Sequence, residues 1–430
     1  MASLARQRDR SDPNLGLMGA GMAAIAALFV VSPYAAAFLL PLFAALPFAG
    51  LADRRASVTA AGLTPLLVAL ALLGLYLSIN ATWAVTPLRA AEKVGLFALY
   101  TLATIIGARA LAASHEQTLE RLSRVTVAVV FIALAYLLVE ILLHLPIKRL
   151  LATFIPALKP SAKHILVKDG WVIHVGAHLL NRSVAALTLM LWPALAMLAL
   201  LHPKRQALPL AVILVAGALL LLARAEHETS FLALLLSLVV FALSRASVQA
   251  GRALVTAGWL TATLLVVPLA LLAKSNDLHT ARWLPDTGRA RIILWSYTAD
   301  QVLKKPVLGV GIGSTKELDE EHAPTAVRPD GYAYPLRTGR HSHNVFMQAW
   351  YELGAIGAFL LLTIGLLILR ELSRLPEAAK PYGYALFTAA AVIGAFSWGM
   401  WQPWFMAAFG LASLFGCLAF ALARHRSPQA

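Results

Sequence analysis

His343 and Asn344 stand where a long polar stretch runs into an apolar one. Met347, Glu352 and Gly354 follow at spacings that complete the pattern H-N-x-x-(L/M)-x-x-x-x-E-x-G. The His343 imidazole has an ordinary pKa of about 6.5, so a neutral general base is available near neutral pH. At the head of a helix the positive dipole end favours the neutral ring further. Asn344 suits the helix N-cap or a substrate hydroxyl. Glu352 lies about two and a half turns beyond His343, in or near the apolar zone, where a carboxylate is expected to hold a structural partner. His341 and His343 also form an H-x-H pair that suits zinc. Alternate positions fit a strand better than a helix, and neither Glu321 nor His322 is fixed as a third ligand.

Arginine offers phosphate a fork of donors and stays charged at any working pH. Arg182, in Asn181-Arg182-Ser183, and Arg291, in Arg289-Ala290-Arg291, are the candidates to stabilise charge on an anionic leaving group. Snorkelling at a membrane surface is the plainer role for Arg182. Residues 290–302 are expected to form a short helix in which Arg291 and Trp295 share a face. Residues 303–314 contain Pro306, Gly309, Gly311 and Gly313. They read as an irregular turn whose glycines let the backbone approach a neighbour. Residues 224–230 crowd Arg224, Glu226, His227, Glu228, Thr229 and Ser230 into a short connection, which is either a cavity rim or an ordinary loop. Trp398, Trp401 and Trp404 fit an interfacial aromatic belt.

The elements that carry these residues are read from composition. The chain has 430 residues, 60% hydrophobic and only 13% charged, too little charge to cover a soluble surface. Repeated apolar runs predict an all-α, polytopic membrane protein rather than a β-barrel of short alternating strands. The net charge of +15 sits mostly in short loops, where topology explains it, so nucleic acid is not an expected partner. Cys417 is the single cysteine, which excludes an internal disulfide and a cysteine metal cluster. Residues 1–13 are polar and basic, no cleavable signal peptide is evident, and the first span is expected to be retained.

About twelve apolar spans are predicted, near 15–31, 33–50, 59–79, 91–112, 125–145, 183–201, 207–223, 230–244, 253–273, 346–369, 383–400 and 403–423. With all twelve in place, one side collects Arg6, Arg8, Arg10, Arg54, Arg55, Arg121, Arg124, Lys204, Arg205, Arg245, Arg252, Arg370, Arg374, Lys380, Arg424 and Arg426. The positive-inside rule puts that side and both termini in the cytoplasm. Two long loops, 146–182 and 274–344, then face outward, and long loops tend to be functional. The first carries Lys148, Arg149, Lys159, Lys163, Lys168 and Arg182 against one acid, Asp169. Either it meets an anionic ligand or it escapes the charge rule through its length. The second mixes Arg289, Arg291, Lys304, Lys305, Arg328, Arg337 and Arg340 with Asp319, Glu320 and Glu321.

Three features together resemble the bacterial O-antigen ligase and O-antigen polymerase superfamily. They are His343-Asn344 with Glu352 and Gly354 entering a late span, Arg291 to Trp295 followed by Pro306-Val-Leu-Gly309-Val-Gly311, and the large loop joining them. The specific motifs cover 289–357, with weaker support at Asn181-Arg182. The resemblance implies a metal-independent, inverting glycosyltransferase of the inner membrane that needs no cofactor and works at the periplasmic face. It implies a glycan donor on undecaprenyl diphosphate and, for a ligase, a sugar hydroxyl of lipid A–core as acceptor. His343 would be the base, and Arg182 and Arg291, with Arg289 and Lys168, would grip the diphosphate. Asn344, Glu352, His341 and Arg224 would support them. Many relatives carry a Ser-Arg-Gly-like element where this chain has Thr229-Ser230-Phe231, and Arg224 is the candidate substitute. A polymerase, whose acceptor is a second lipid-linked glycan, and a protein O-oligosaccharyltransferase share these features. A flippase or transporter would need charges or broken helices deep in the membrane.

Overall fold

The computed structural model describes residues 15–47, 64–155, 160–319, 325–327, 331 and 333–427. Arg6, Arg8, Arg10, Arg54, Arg55, Lys159, Glu320, Glu321, His322 and Arg328 lie outside the described residues, as do both termini.

Helix starts follow local chemistry. Pro65, Pro87, Pro146 and Pro403 each open a helix, where a missing amide costs nothing. Thr64 caps the Pro65 helix with its side-chain oxygen, and Ser247 caps another. The helices are α1 (Leu15–Val31), α2 (Ala36–Ala45), α3 (Pro65–Asn80), α4 (Pro87–Ala112), α5 (Glu116–Leu142), α6 (Pro146–Phe154), α7 (Asn181–Leu201) and α8 (Lys204–Arg224). They continue as α9 (Glu228–Ala246), α10 (Val248–Leu264), α11 (Val266–Ser275), α12 (Asp286–Lys304), α13 (Val345–Leu372), α14 (Lys380–Phe396) and α15 (Pro403–Arg426).

Each expected apolar span has a helical counterpart among the described residues. Length and composition support fewer crossings, however. Among the described residues, eight helices are long and apolar enough to cross a bilayer, or nine if α10 and α11, bent by 71°, make one span. α1 and α2 are apolar but shorter. α7 and α15 are the most enclosed of the long helices, and Phe29, Phe43 and Phe415 stack beside them. Trp192 on α7 donates to Ser237 on α9 (2.8 Å), satisfying an indole N–H that lipid cannot.

Contacts tie the connections together at two ends. At one, Arg426 bridges Glu116 (3.0 Å) and Glu120 (2.8 Å). At the other, Asn181 donates to the Glu226 carbonyl (3.4 Å), Thr287 to Glu228 (3.0 Å) and Thr229 to the Phe396 carbonyl (3.1 Å). Both long loops therefore meet the polar 224–230 connection.

The apolar runs are helical among the described residues, in agreement with an all-α membrane fold. The loops carry two small antiparallel hairpins, β1 (Ile165–Lys168) with β2 (Trp171–Val175), and β3 (Thr325–Val327) with β4 (Ala333–Pro335). The first has a plain local cause. β-branched and aromatic runs flank Asp169-Gly170, whose φ values of 50° and 82° are those of a two-residue hairpin turn.

Candidate active site

His343 is positioned from both sides in the chain. Asn344 takes the N-cap of α13, its Oδ1 accepting from the amides of Phe346 (2.9 Å) and Met347 (3.0 Å). Its capping role is thus filled, and His343 falls one residue before the cap. His343 has φ 53°, a left-handed conformation uncommon for a residue with a side chain. Trp295 on α12 donates its indole N–H to the Ser342 carbonyl (2.6 Å), which holds the turn down.

The His343 Nδ1 lies 2.6 Å from the Ser397 carbonyl. A carbonyl only accepts, so Nδ1 carries the hydrogen and Nε2 carries the lone pair. Burial lowers the His343 pKa, and the nearby Arg291 charge lowers it further, against the opposing Ser397 hydrogen bond. The contact fixes the tautomer of the ring.

Arg291 lies on the α12 face that also bears Trp295, and its charge acts on both His343 and His227. Arg182 sits in an aromatic cage, its guanidinium carbon 4.5 Å from the Tyr34 ring centre, 5.4 Å from Trp404 and 5.9 Å from Trp398. Among the described residues no carboxylate pairs with it, so π faces hold the cation without neutralising it. Trp398 and Trp404 are therefore cage walls, and Trp401 donates to Glu352. With Trp401 and Trp404 both buried, the lipid-facing belt expected for the three tryptophans is not what they form. An apolar groove of about 950 Å³ begins at Tyr34 and Trp404 and runs past Phe38, Leu42, Leu96 and Leu99.

Other expected site residues stand apart. Arg289 pairs with Asp286 on α12, two positions and about 200° around the helix from Arg291. Lys168 is exposed at the end of β1, and among the described residues no hydrogen bond or ion pair joins it to His343. Arg224 is exposed in the last turn of α8. His341 packs against His343 with ring centres 4.1 Å apart and planes tilted by 57°, its backbone outside any strand. Among the described residues no group of three or more His, Cys, Asp or Glu is placed to hold a metal.

Glu352 is fully buried and anchors the Gly-rich turn. It accepts from the Gly313 amide (2.8 Å), the Thr315 amide (3.1 Å) and hydroxyl, Gln348 (3.1 Å) and the Trp401 indole. The turn also pairs with α13 backbone, Val310 N with the Tyr351 carbonyl (3.0 Å) and Gly311 N with the Glu352 carbonyl (2.9 Å). Those carbonyls are exposed to the turn because Gly354 (φ 64°) interrupts the helix.

Sequence reasoning passed over His227 as a single residue. It stacks on Trp398 (4.8 Å), and its Nδ1 meets Ser230 Oγ (2.7 Å) while its Nε2 faces Ser397 Oγ (3.5 Å). It thus braces the Ser397–Trp398 backbone that orients His343 and walls Arg182. The polar crowding of residues 224–230 was the only signal for it.

Burial, then the Arg291 charge, lowers the His227 pKa to about 4. Burial, then His343 and Arg340, does the same for His341. The unfolded chain binds protons near the ordinary 6.5, whereas the folded protein does not until about 4. Stability therefore falls as pH drops from 6.5 toward 4, on the order of 3 kcal/mol from His227. Thermal unfolding in detergent across that window is expected to show the loss, and His227→Gln should remove the His227 part of it while the His341 part remains.

Residues 209–362 match the model of a family described as O-antigen ligase. A provisionally named polysaccharide ligase of Rickettsia conorii is 28% identical over 231 residues, covering 53% of this chain and 55% of that one. Its counterpart in Rickettsia felis is 27% identical over 233 residues, 54% of this chain and 56% of the other. That of Rickettsia prowazekii is 25% identical over 236 residues with the same coverage. The match spans little more than half the length of these relatives.

Proposed function

We propose that this chain, which matches the O-antigen ligase family over residues 209–362, transfers a glycan from a lipid diphosphate to a sugar hydroxyl. The observation that carries the reading is the His343–Ser397 hydrogen bond, which leaves Nε2 as the base beside Arg291. The acceptor hydroxyl gives its proton to Nε2. Its oxygen bonds to the anomeric carbon as the bond from that carbon to the diphosphate oxygen breaks. The diphosphate leaves from the opposite face with the electron pair, which inverts the centre.

Arg291 and Arg182 stabilise that leaving group, Arg182 without a carboxylate to compete for it. The apolar groove that starts at the Arg182 cage seats the polyprenyl tail in this reading. Arg289, Lys168 and Arg224 play lesser parts, since the first is paired and the others are exposed. The donor is undecaprenyl-diphosphate-linked O-antigen and the acceptor lipid A–core. The reaction takes place at the periplasmic face of the inner membrane, with both termini cytoplasmic and membrane lipids around the helices.

Arg291→Ala is expected to lower kcat/KM by roughly ten- to a hundredfold, the value of one or two charge-assisted hydrogen bonds. Arg291→Lys should recover little, because a point charge lacks the fork. Unchanged steady-state kinetics in Arg291→Ala would remove it from the clamp.

The deciding assay mixes purified protein with both lipids and no added metal, and reads glycan on the core by gel shift. Transfer to the core supports the ligase. Longer glycans on the donor lipid alone would mean a polymerase. Loss of activity on adding a chelator would bring back a metal mechanism.

A further inference from the structure

Helix α6 is amphipathic in the reverse sense for a helix that packs on protein. Ile147, Leu150, Leu151 and Phe154 fall at i, i+3, i+4 and i+7, a single stripe. All four are exposed, Leu150 to 53% and Phe154 to 64%. The other side faces inward. Ala152 is buried, Arg149 donates to the Ile173 carbonyl (3.2 Å), and Thr153 Oγ1 accepts from the Val172 amide (3.0 Å). The β1–β2 hairpin extends the same surface. Trp171 is exposed and meets Phe154 edge-on at 5.5 Å, and Ile173 is exposed on the same strand face.

A loop in water does not present such a contiguous apolar face. Two observations say what covers it. Three residues separate α6 from the membrane-length helix α5, whose outward residues Val139 and Leu142 are exposed too, as is Leu143 just beyond it, so the patch continues a lipid-facing surface. The exposed polar residues on the hairpin side include Lys163 and Lys168 against Asp169, a balance that suits anionic headgroups.

We propose that α6 and β1–β2 form an interfacial paddle lying in the bilayer surface. Its aliphatic stripe and Trp171 sit in the headgroup–acyl boundary, and its lysines lie among the headgroups. Because β2 leads within a few residues to Arg182, the bilayer then sets the depth at which the aromatic cage is held. The inference does not depend on which reaction the protein catalyses.

The test uses full-length protein in nanodiscs of phosphatidylethanolamine and phosphatidylglycerol. Cys417→Ser removes the single cysteine, and spin labels are attached through Leu150→Cys, Phe154→Cys or Lys168→Cys. Near-UV circular dichroism matching the parent qualifies each labelled protein. Oxygen is expected to relax the labels at positions 150 and 154 more than a nickel chelate does, with the order reversed at 168. If the chelate reaches positions 150 and 154 as freely as 168, the stripe lies in water and the proposal fails. If neither reagent reaches them, protein covers the stripe, a second copy or another segment, and the proposal also fails.

Discussion

The His343→Asn protein is expected to fold and insert but to transfer almost no glycan, with kcat down roughly 10²- to 10⁴-fold, the usual contribution of a general base. Asparagine is the informative replacement. It tolerates the left-handed backbone that His343 adopts at φ 53°, and its amide N–H can still donate to the Ser397 carbonyl. What it lacks is a basic nitrogen where Nε2 stands. A residue that only positioned the turn would survive the change, so near-normal turnover would sink the assignment. His341→Ala, beside it, should keep far more activity. Wild-type kcat/KM should fall off at a lower pH than an ordinary imidazole would set, because burial and Arg291 lower the His343 pKa against the Ser397 hydrogen bond. The loss begins only at lower pH, where the ring takes up a proton.

Gly354→Ala is expected to unfold the chain or prevent its accumulation. A Cβ at Gly354 would stand 2.2 Å from the Val307 carbonyl oxygen, and one at Gly309 would stand 2.5 Å from the Glu352 carbonyl. Both approaches are backbone on backbone, so no side chain can move aside, and both residues hold positive φ. Glu352→Leu should be nearly as severe, because five donors lose one acceptor inside the protein. Breaking such a buried charged network costs about 3–5 kcal/mol. Gly258→Ala is the control, since nothing lies within 4 Å of a Cβ there. Thermal unfolding in detergent ranks the three. A Gly354→Ala protein melting with the parent would mean the Gly-rich turn does not need its fit against α13.

Much of this architecture is legible in the chain. Apolar runs announce helices because a bilayer demands every backbone hydrogen bond within the segment. Asn344 announces a cap, an interaction within a few residues. His343, Arg182 and Arg291 stand out because polar groups at the ends of apolar runs are costly without a reason. Less visible were the β1–β2 hairpin, whose cues were present, and the difference between twelve apolar helices and the eight or nine that can span alone.

Residue types and their local spacing thus determined the helices, their caps and the list of chemically capable side chains. The tertiary structure alone decided which of them meet. It brought His227 and Ser397, 170 positions apart, to brace His343. It turned Trp398 and Trp404 from a lipid belt into the walls around Arg182, and it set Arg289 apart from Arg291. Local spacing reports on one element at a time. A ring's tautomer, a cation's freedom from a counter-charge and a carboxylate's set of donors depend on groups that only packing brings within a few ångströms.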